Sequence, residues 1–133
     1  MRGRVVLFYP AYDGPPLSAP LCLLSLAAAL RAADFEAVVI DAAIEPDYRK
    51  RVLQEAANAL CVGISVLTGP MIQGAIEVAT SVKRRFPILP VIFGGWHPSL
   101  LPAETLQEPF LDVVVRGQGE MTLPGIGRSL GQR

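Results

Sequence analysis

Five short runs of β-branched and aromatic residues recur along the chain: VVLFY within residues 4–9, AVVID at 37–41, LCVGISV at 60–66, PVIFG at 90–94 and DVVVR at 112–116. Each is almost continuously apolar rather than alternating, which predicts strands buried on both faces, as in parallel sheets with helices on either side. The intervening segments read as helices. Residues 21–33 are alanine- and leucine-rich with no breaker, and their nearly all-round apolarity predicts burial. A surface helix is expected within 45–59, after Pro46 and Asp47. From Met71, Ile72, Ala75, Ile76, Ala79, Val82 and Phe86 recur at three- and four-residue steps, while Gln73, Glu77, Lys83 and Arg84 lie off that stripe. A short helix is expected around 103–107, and the last ~10 residues as a weak or truncated helix, broken by Pro124 and glycines.

Strands alternating with helices predict an α/β fold: a Rossmann-like or flavodoxin-like, doubly wound parallel sheet of five strands in the order 2-1-3-4-5. At 133 residues one domain spanning 1–133 is expected. Twelve basic and twelve acidic residues cancel and are dispersed, which argues against a nucleic-acid footprint. Charged residues make up 18% of the chain, against a typical ~25%, so much of the surface is expected to face a core, a ligand or a partner. Cys22 and Cys61 sit in apolar runs without metal-ligand spacing and read as buried, reduced thiols. Tyr9, Pro10 and Asp13 interrupt any secretory pattern at the start, and the apolar run 21–30 is too short to span a bilayer, so a cytoplasmic location is expected.

In such a sheet ligands bind outside the carboxyl ends of the strands. The unusual loops fall on that edge: PAYDGPPLSAP after the first strand, LTGP after the third, GGWHPSLLP after the fourth and GQGE after the fifth. Connections at the other edge are short and plain. Four glycine- or proline-bearing loops gathered on one edge predict a wide, shallow platform, and Gly94 and Gly95 leave a notch where a strand ends. No GxxxxGK[ST] or GxGxxG motif is present. The carboxylates of a receiver domain and the hydroxyl-rich phosphate loop of a flavodoxin are missing too. Two alternatives to a cofactor carrier stay open: a cofactor-free interaction or structural module, and a flavodoxin-like small-molecule-binding domain.

Ser65-Val66-Leu67, followed after twenty-six residues by Gly94-Gly95, resembles the SxL…GG pair of cobalamin-binding domains. With YPAYDGPPLSAPLCLLSLAAALRAA, GGWHPSLLPAETL and DVVVRGQGE, the chain resembles, over residues 4 to 122, the N-terminal cobalamin (vitamin B12)-binding domain of cobalamin-dependent radical S-adenosylmethionine enzymes. The resemblance implies a corrin across the carboxyl edge, its nucleotide tail threaded between strands 1 and 3. Ser65, Val66, Leu67 and Thr68 would lie near that tail, with Gly94 and Gly95 giving it room and Trp96 packing on the tail or corrin rim. Tyr12, Asp13 and Gly14 after strand 1, and Gly117, Gly119 and Glu120 after strand 5, complete the expected cofactor-binding set.

The DxHxxG motif that gives some cobalamin domains a histidine ligand to cobalt is absent after strand 1. The resemblance to the radical-enzyme relatives then implies base-off cobalamin with no protein ligand, or only water, below the metal, and His97 is assigned to the binding loop rather than to cobalt. No CxxxCxxC motif is present, so an iron-sulfur cluster and S-adenosylmethionine would belong to a radical S-adenosylmethionine domain, in the same full-length protein or a separate chain. This chain by itself is expected to hold the cofactor without catalysing a reaction.

Overall fold

The computed structural model describes residues 2–10, 21–65, 71–94, 111–115 and 122–131. Five parallel strands, β1 (Arg4–Tyr9), β2 (Glu36–Asp41), β3 (Ala59–Ser65), β4 (Val91–Gly94) and β5 (Val113–Val114), pair in the order β2-β1-β3-β4-β5, as expected. Among the described residues, four helices connect or follow them: α1 (Leu21–Ala32), α2 (Tyr48–Ala56), α3 (Met71–Arg85) and α4 (Thr122–Gly131). The expected helix at 103–107 lies outside the described residues.

The pleat explains why the strands read as unbroken apolar runs. Successive residues point to opposite faces of the sheet, and both faces are covered. Val6, Phe8, Val62, Ile64, Val91 and Phe93 pack with Val52 of α2 and Ala75, Val78 and Val82 of α3. Val5, Leu7, Cys61, Ile92 and Val115 pack with Leu23, Ala27 and Leu30 of α1 and Leu123 of α4. The molecule therefore has two cores, separated by the sheet.

Two expectations are corrected. Helix α1 is not buried all round: Leu23, Ala27 and Leu30 are sealed, whereas Leu24 is 44% exposed. A doubly wound sheet carries one helix layer per face, so the outer side of α1 meets no further element of the described chain. The closing segment is not broken by Pro124 either, because the ten residues of α4 form one continuous helix. Pro124 falls in the first turn, where its missing N–H is not needed.

Polar contacts tie the amino edge of the sheet together. Arg4 lies 3.2 Å from Glu36 and 3.0 Å from Glu55, bridging β1, β2 and α2. Asp112 accepts the Val91 amide at 2.8 Å and pairs with Lys83 at the end of α3, and that ammonium also donates to the Leu89 carbonyl at 2.9 Å. Helix α1 ends with Phe35 donating to the Leu30 carbonyl and Asp34 to that of Arg31, with Asp34 in the left-handed region at φ 71°. That pattern is a Schellman termination with aspartate where glycine is usual. With the amino edge pinned, the carboxyl edge is left for a ligand.

Candidate functional site

Strands β3 and β4 finish side by side at the carboxyl edge, where Ser65 pairs in register with Gly94. The SxL and GG motifs, far apart in sequence, thus begin on neighbouring backbones. Ser65 is 6% exposed, one of two buried polar residues among those described. Pleat alternation puts Gly63, Ser65 and Gly94 on the face that α1 and α4 cover. The close neighbours agree: a Cβ at Gly63 would lie 3.1 Å from Leu7 Cδ2, and one at Gly94 3.9 Å from Val115 Cβ, both residues of that face.

At the same level the two faces of the sheet differ. The α2/α3 face is filled by Phe8, Ile64 and Phe93, with the Phe8 ring stacked on Tyr48 at a 5.4 Å centroid distance. The α1/α4 face carries Gly63, Ser65 and Gly94, with half-buried Tyr9 at the end of β1 packed against the same core. Gly63, Ser65 and Gly94 thus form a short strip of small side chains toward the carboxyl ends of β3 and β4, although Leu7 packs against Gly63 and the bulky Ile92 of β4 shares this face.

Gly94 itself lies in strand conformation, outside the left-handed region that requires glycine. Among the described residues, a Cβ there would meet nothing closer than ordinary van der Waals contact. Neither backbone strain nor packing among those residues demands a glycine at this position. Gly63 differs, because its approach to Leu7 is tight enough that the packing itself favours a missing side chain. Gly63 was not among the expected site residues. The available signal was a glycine inside an apolar strand, two residues before Ser65 and so on its face.

Of the other expected site residues, Tyr12, Asp13, Gly14, Val66, Leu67, Thr68, Gly95, Trp96, His97, Gly117, Gly119 and Glu120 lie outside the described residues. Asp41, the second buried polar residue, closes the turn after β2: its Oδ1 accepts the Ala43 amide at 2.9 Å, and its carbonyl accepts those of Ile44 and Glu45. Cys61 is fully buried, and desolvation pushes its thiol up to about 12, so it stays protonated and inert at neutral pH. The side chain of Cys22 is not described. On the opposite face Arg49 of α2 pairs with Glu77 of α3. Hydrogen bonds from Gln73 and Arg49 hold the Glu77 carboxyl below its ordinary range, but the pair is exposed and ties helix to helix.

Among the described residues, no helix is long and apolar enough to cross a membrane.

The model of the B12 binding domain family matches residues 3–127 of the chain. Tryptophan 2-C-methyltransferase from Streptomyces laurentii is 29% identical over 143 aligned positions, covering 98% of this chain and 24% of the relative. Anaerobic magnesium-protoporphyrin IX monomethyl ester cyclase from Synechocystis sp. is 30% identical over 111 positions, covering 78% and 22%. Among solved structures, the radical S-adenosylmethionine methyltransferase TsrM from Kitasatospora setae, with cobalamin and a 4Fe-4S cluster bound, superposes with a TM-score of 0.84 at 27% identity. That match covers 99% of this chain and 25% of TsrM. The chain thus spans about a quarter of the length of these relatives. The match to NtrX from Brucella abortus, at a TM-score of 0.66 and 12% identity, reflects the fold alone.

Proposed function

The chain belongs to the B12-binding domain family, and from that premise we propose that it holds cobalamin at the carboxyl edge of its sheet, as the cofactor module of a radical S-adenosylmethionine enzyme. Gly94 carries this reading. A glycine that neither conformation nor packing among the described residues requires, paired with a buried serine at the end of two adjacent strands, is accounted for by a ligand that approaches the backbone. The nucleotide tail would lie along the strip of Gly63, Ser65 and Gly94 on the α1/α4 face, with the Ser65 hydroxyl within reach of a polar atom of the tail base. Gly95 and Trp96, which follow β4 in sequence, Val66, Leu67 and Thr68, which follow β3, and Tyr12, Asp13, Gly14, Gly117, Gly119 and Glu120, which follow β1 and β5, would complete the cofactor-binding set.

When bound, cobalamin supplies a cobalt centre able to carry a methyl group or take part in radical chemistry. The part of this chain is to fix the orientation of the corrin and to keep the tail away from cobalt. With no histidine in the segment after β1, this chain would offer no imidazole to cobalt there, and a tail held along the sheet would leave the cofactor base-off. His97 serves the loop after β4. The iron-sulfur cluster and S-adenosylmethionine belong to a radical S-adenosylmethionine domain, in the same full-length protein or in a partner, and the alternating strands and helices of 1–133 act as one cytoplasmic cofactor-holding domain. TsrM, the relative with cobalamin and a 4Fe-4S cluster bound, supports this division of labour.

The test is direct. Purified protein is mixed with hydroxocobalamin, freed of excess and examined by visible absorption. Retained cofactor with a base-off spectrum is expected, with retention abolished by Gly94→Leu or Gly95→Leu and the spectrum unchanged by His97→Ala. Absence of retention at micromolar cobalamin overturns the assignment for this chain, and a shift of the cobalt bands in His97→Ala overturns the assignment of that histidine.

A further inference from the structure

Helix α4 is held differently from the other three. Helix α1 is tied by Arg31, which donates to the Ala37 carbonyl at 3.1 Å. Helix α2 is tied by Glu55 to Arg4 and by Arg49 to Glu77, and α3 by Lys83 to Asp112. Among the described side chains, none of the hydrogen bonds or ion pairs seen joins α4 to the rest of the chain. Its hold is apolar: Leu123 is buried, Ile126 and Leu130 are partly buried against the α1/α4 core, and Gly127 sits on the Phe35 ring. Its sequence, TLPGIGRSLG, has three glycines and a proline in ten residues and so little helical tendency of its own. The helix exists because it is docked.

Its position gives that weakness a consequence. Gly131 lies by the Arg2 carbonyl at the amino edge, so α4 runs antiparallel to the strands and its first turn, Leu123 and Pro124, is the part nearest the carboxyl edge. It packs against β3 and α1, on the face that carries Gly63, Ser65 and Gly94. A long group entering the strip along β3 must pass beside or beneath that turn.

We propose that α4 is a ligand-responsive cover, which lifts from the sheet to admit the cobalamin tail and closes once the tail lies on the strip. This rests on the cobalamin reading above. Segments that must open for a ligand belong to the least stable parts of a fold, and a helix with low intrinsic propensity whose docking is apolar among the described residues meets that requirement. Closure couples the helix to the cofactor: the bound tail adds apolar contact that free α4 lacks, so occupancy and helix docking stabilise each other.

Hydrogen exchange read by mass spectrometry tests this on the full chain, with and without hydroxocobalamin. In free protein the amides of 122–131 are expected to exchange about tenfold or more faster than those of β3, and bound cofactor to slow them by about tenfold. Gly125→Ala supplies a second readout. Among the described residues its Cβ meets only Arg128 Nη2, at 3.9 Å, so it favours the docked helix without a clash there and should slow cobalamin association several-fold while leaving the bound spectrum unchanged. Retention of cobalamin with unchanged exchange in 122–131, or an unaltered association rate in Gly125→Ala, overturns the cover and leaves the cofactor assignment standing. Failure to retain cobalamin at all overturns both.

Discussion

A Cβ added at Gly127 would come within 2.9 Å of the Phe35 ring, whose atoms are fully buried and have no room to retreat, whereas one at Gly94 would rest 3.9 Å from Val115. One glycine answers to packing, and the other has no close neighbour among the described residues, which the proposed ligand would explain. Gly127→Ala should therefore destabilise the free protein by about 1–3 kcal/mol through overpacking. Gly94→Ala should leave urea unfolding within about 0.5 kcal/mol of the parent and act on cobalamin retention instead. Equal losses of stability in both variants would return Gly94 to a structural role. In sequence the two residues look alike. Spacing from Ser65 marked out Gly94, but the need for Gly127 arises from the buried Phe35 ring, 92 positions earlier, which no local pattern announces. Gly63 was within reach of the same reasoning, since strand period alone puts it on the face of Ser65.

Strands were the most legible elements, because burial on both faces leaves an unbroken apolar run with no other stable use in a chain of this size. Strand β5 is short among the described residues: Val113 and Val114 pair with β4, and the Asp112 and Val115 amides donate to the Val91 and Phe93 carbonyls at its ends. Helix α3 carried a clear stripe and appears where the stripe predicts. In α1 only Ser25 and Arg31 interrupt the apolar run and mark the outward side weakly, and in α4 glycine and proline concealed a helix that tertiary packing supplies. The end of α3 and the start of β5 are joined by one side chain that sequence alone did not single out. Asp112 accepts the Val91 amide and pairs with Lys83, binding β4, β5 and α3 at the amino edge. Asp112→Ala removes a charge-assisted acceptor from a strand amide and should lower unfolding stability by about 1–3 kcal/mol. Since the carboxyl edge is untouched, cobalamin retention should persist. A loss of retention at unchanged stability would mean that this edge communicates with the site.

For the molecule as a whole, the α2/α3 core, the contacts of α1 with the sheet and the pinned amino edge form the scaffold, while the carboxyl edge and α4, which closes the second core, are placed to respond to a ligand. A ligand that binds the folded chain alone stabilises it by mass action, about 2.7 kcal/mol at a hundredfold excess over Kd. For a domain of this size that corresponds to a rise in Tm on the order of 10 °C. Hydroxocobalamin should produce such a rise in the parent protein, growing with the logarithm of free cofactor once binding saturates. Gly94→Leu separates the scaffold from the site: it should still unfold in one transition without cobalamin, and that transition should stay in place when cobalamin is added. A parent Tm that ignores cobalamin across concentrations bracketing micromolar would mean that the sheet edge does not hold the cofactor. A variant that shifts as far as the parent would mean that cobalamin binds away from the β3–β4 ends, and the strip of Gly63, Ser65 and Gly94 would lose its role.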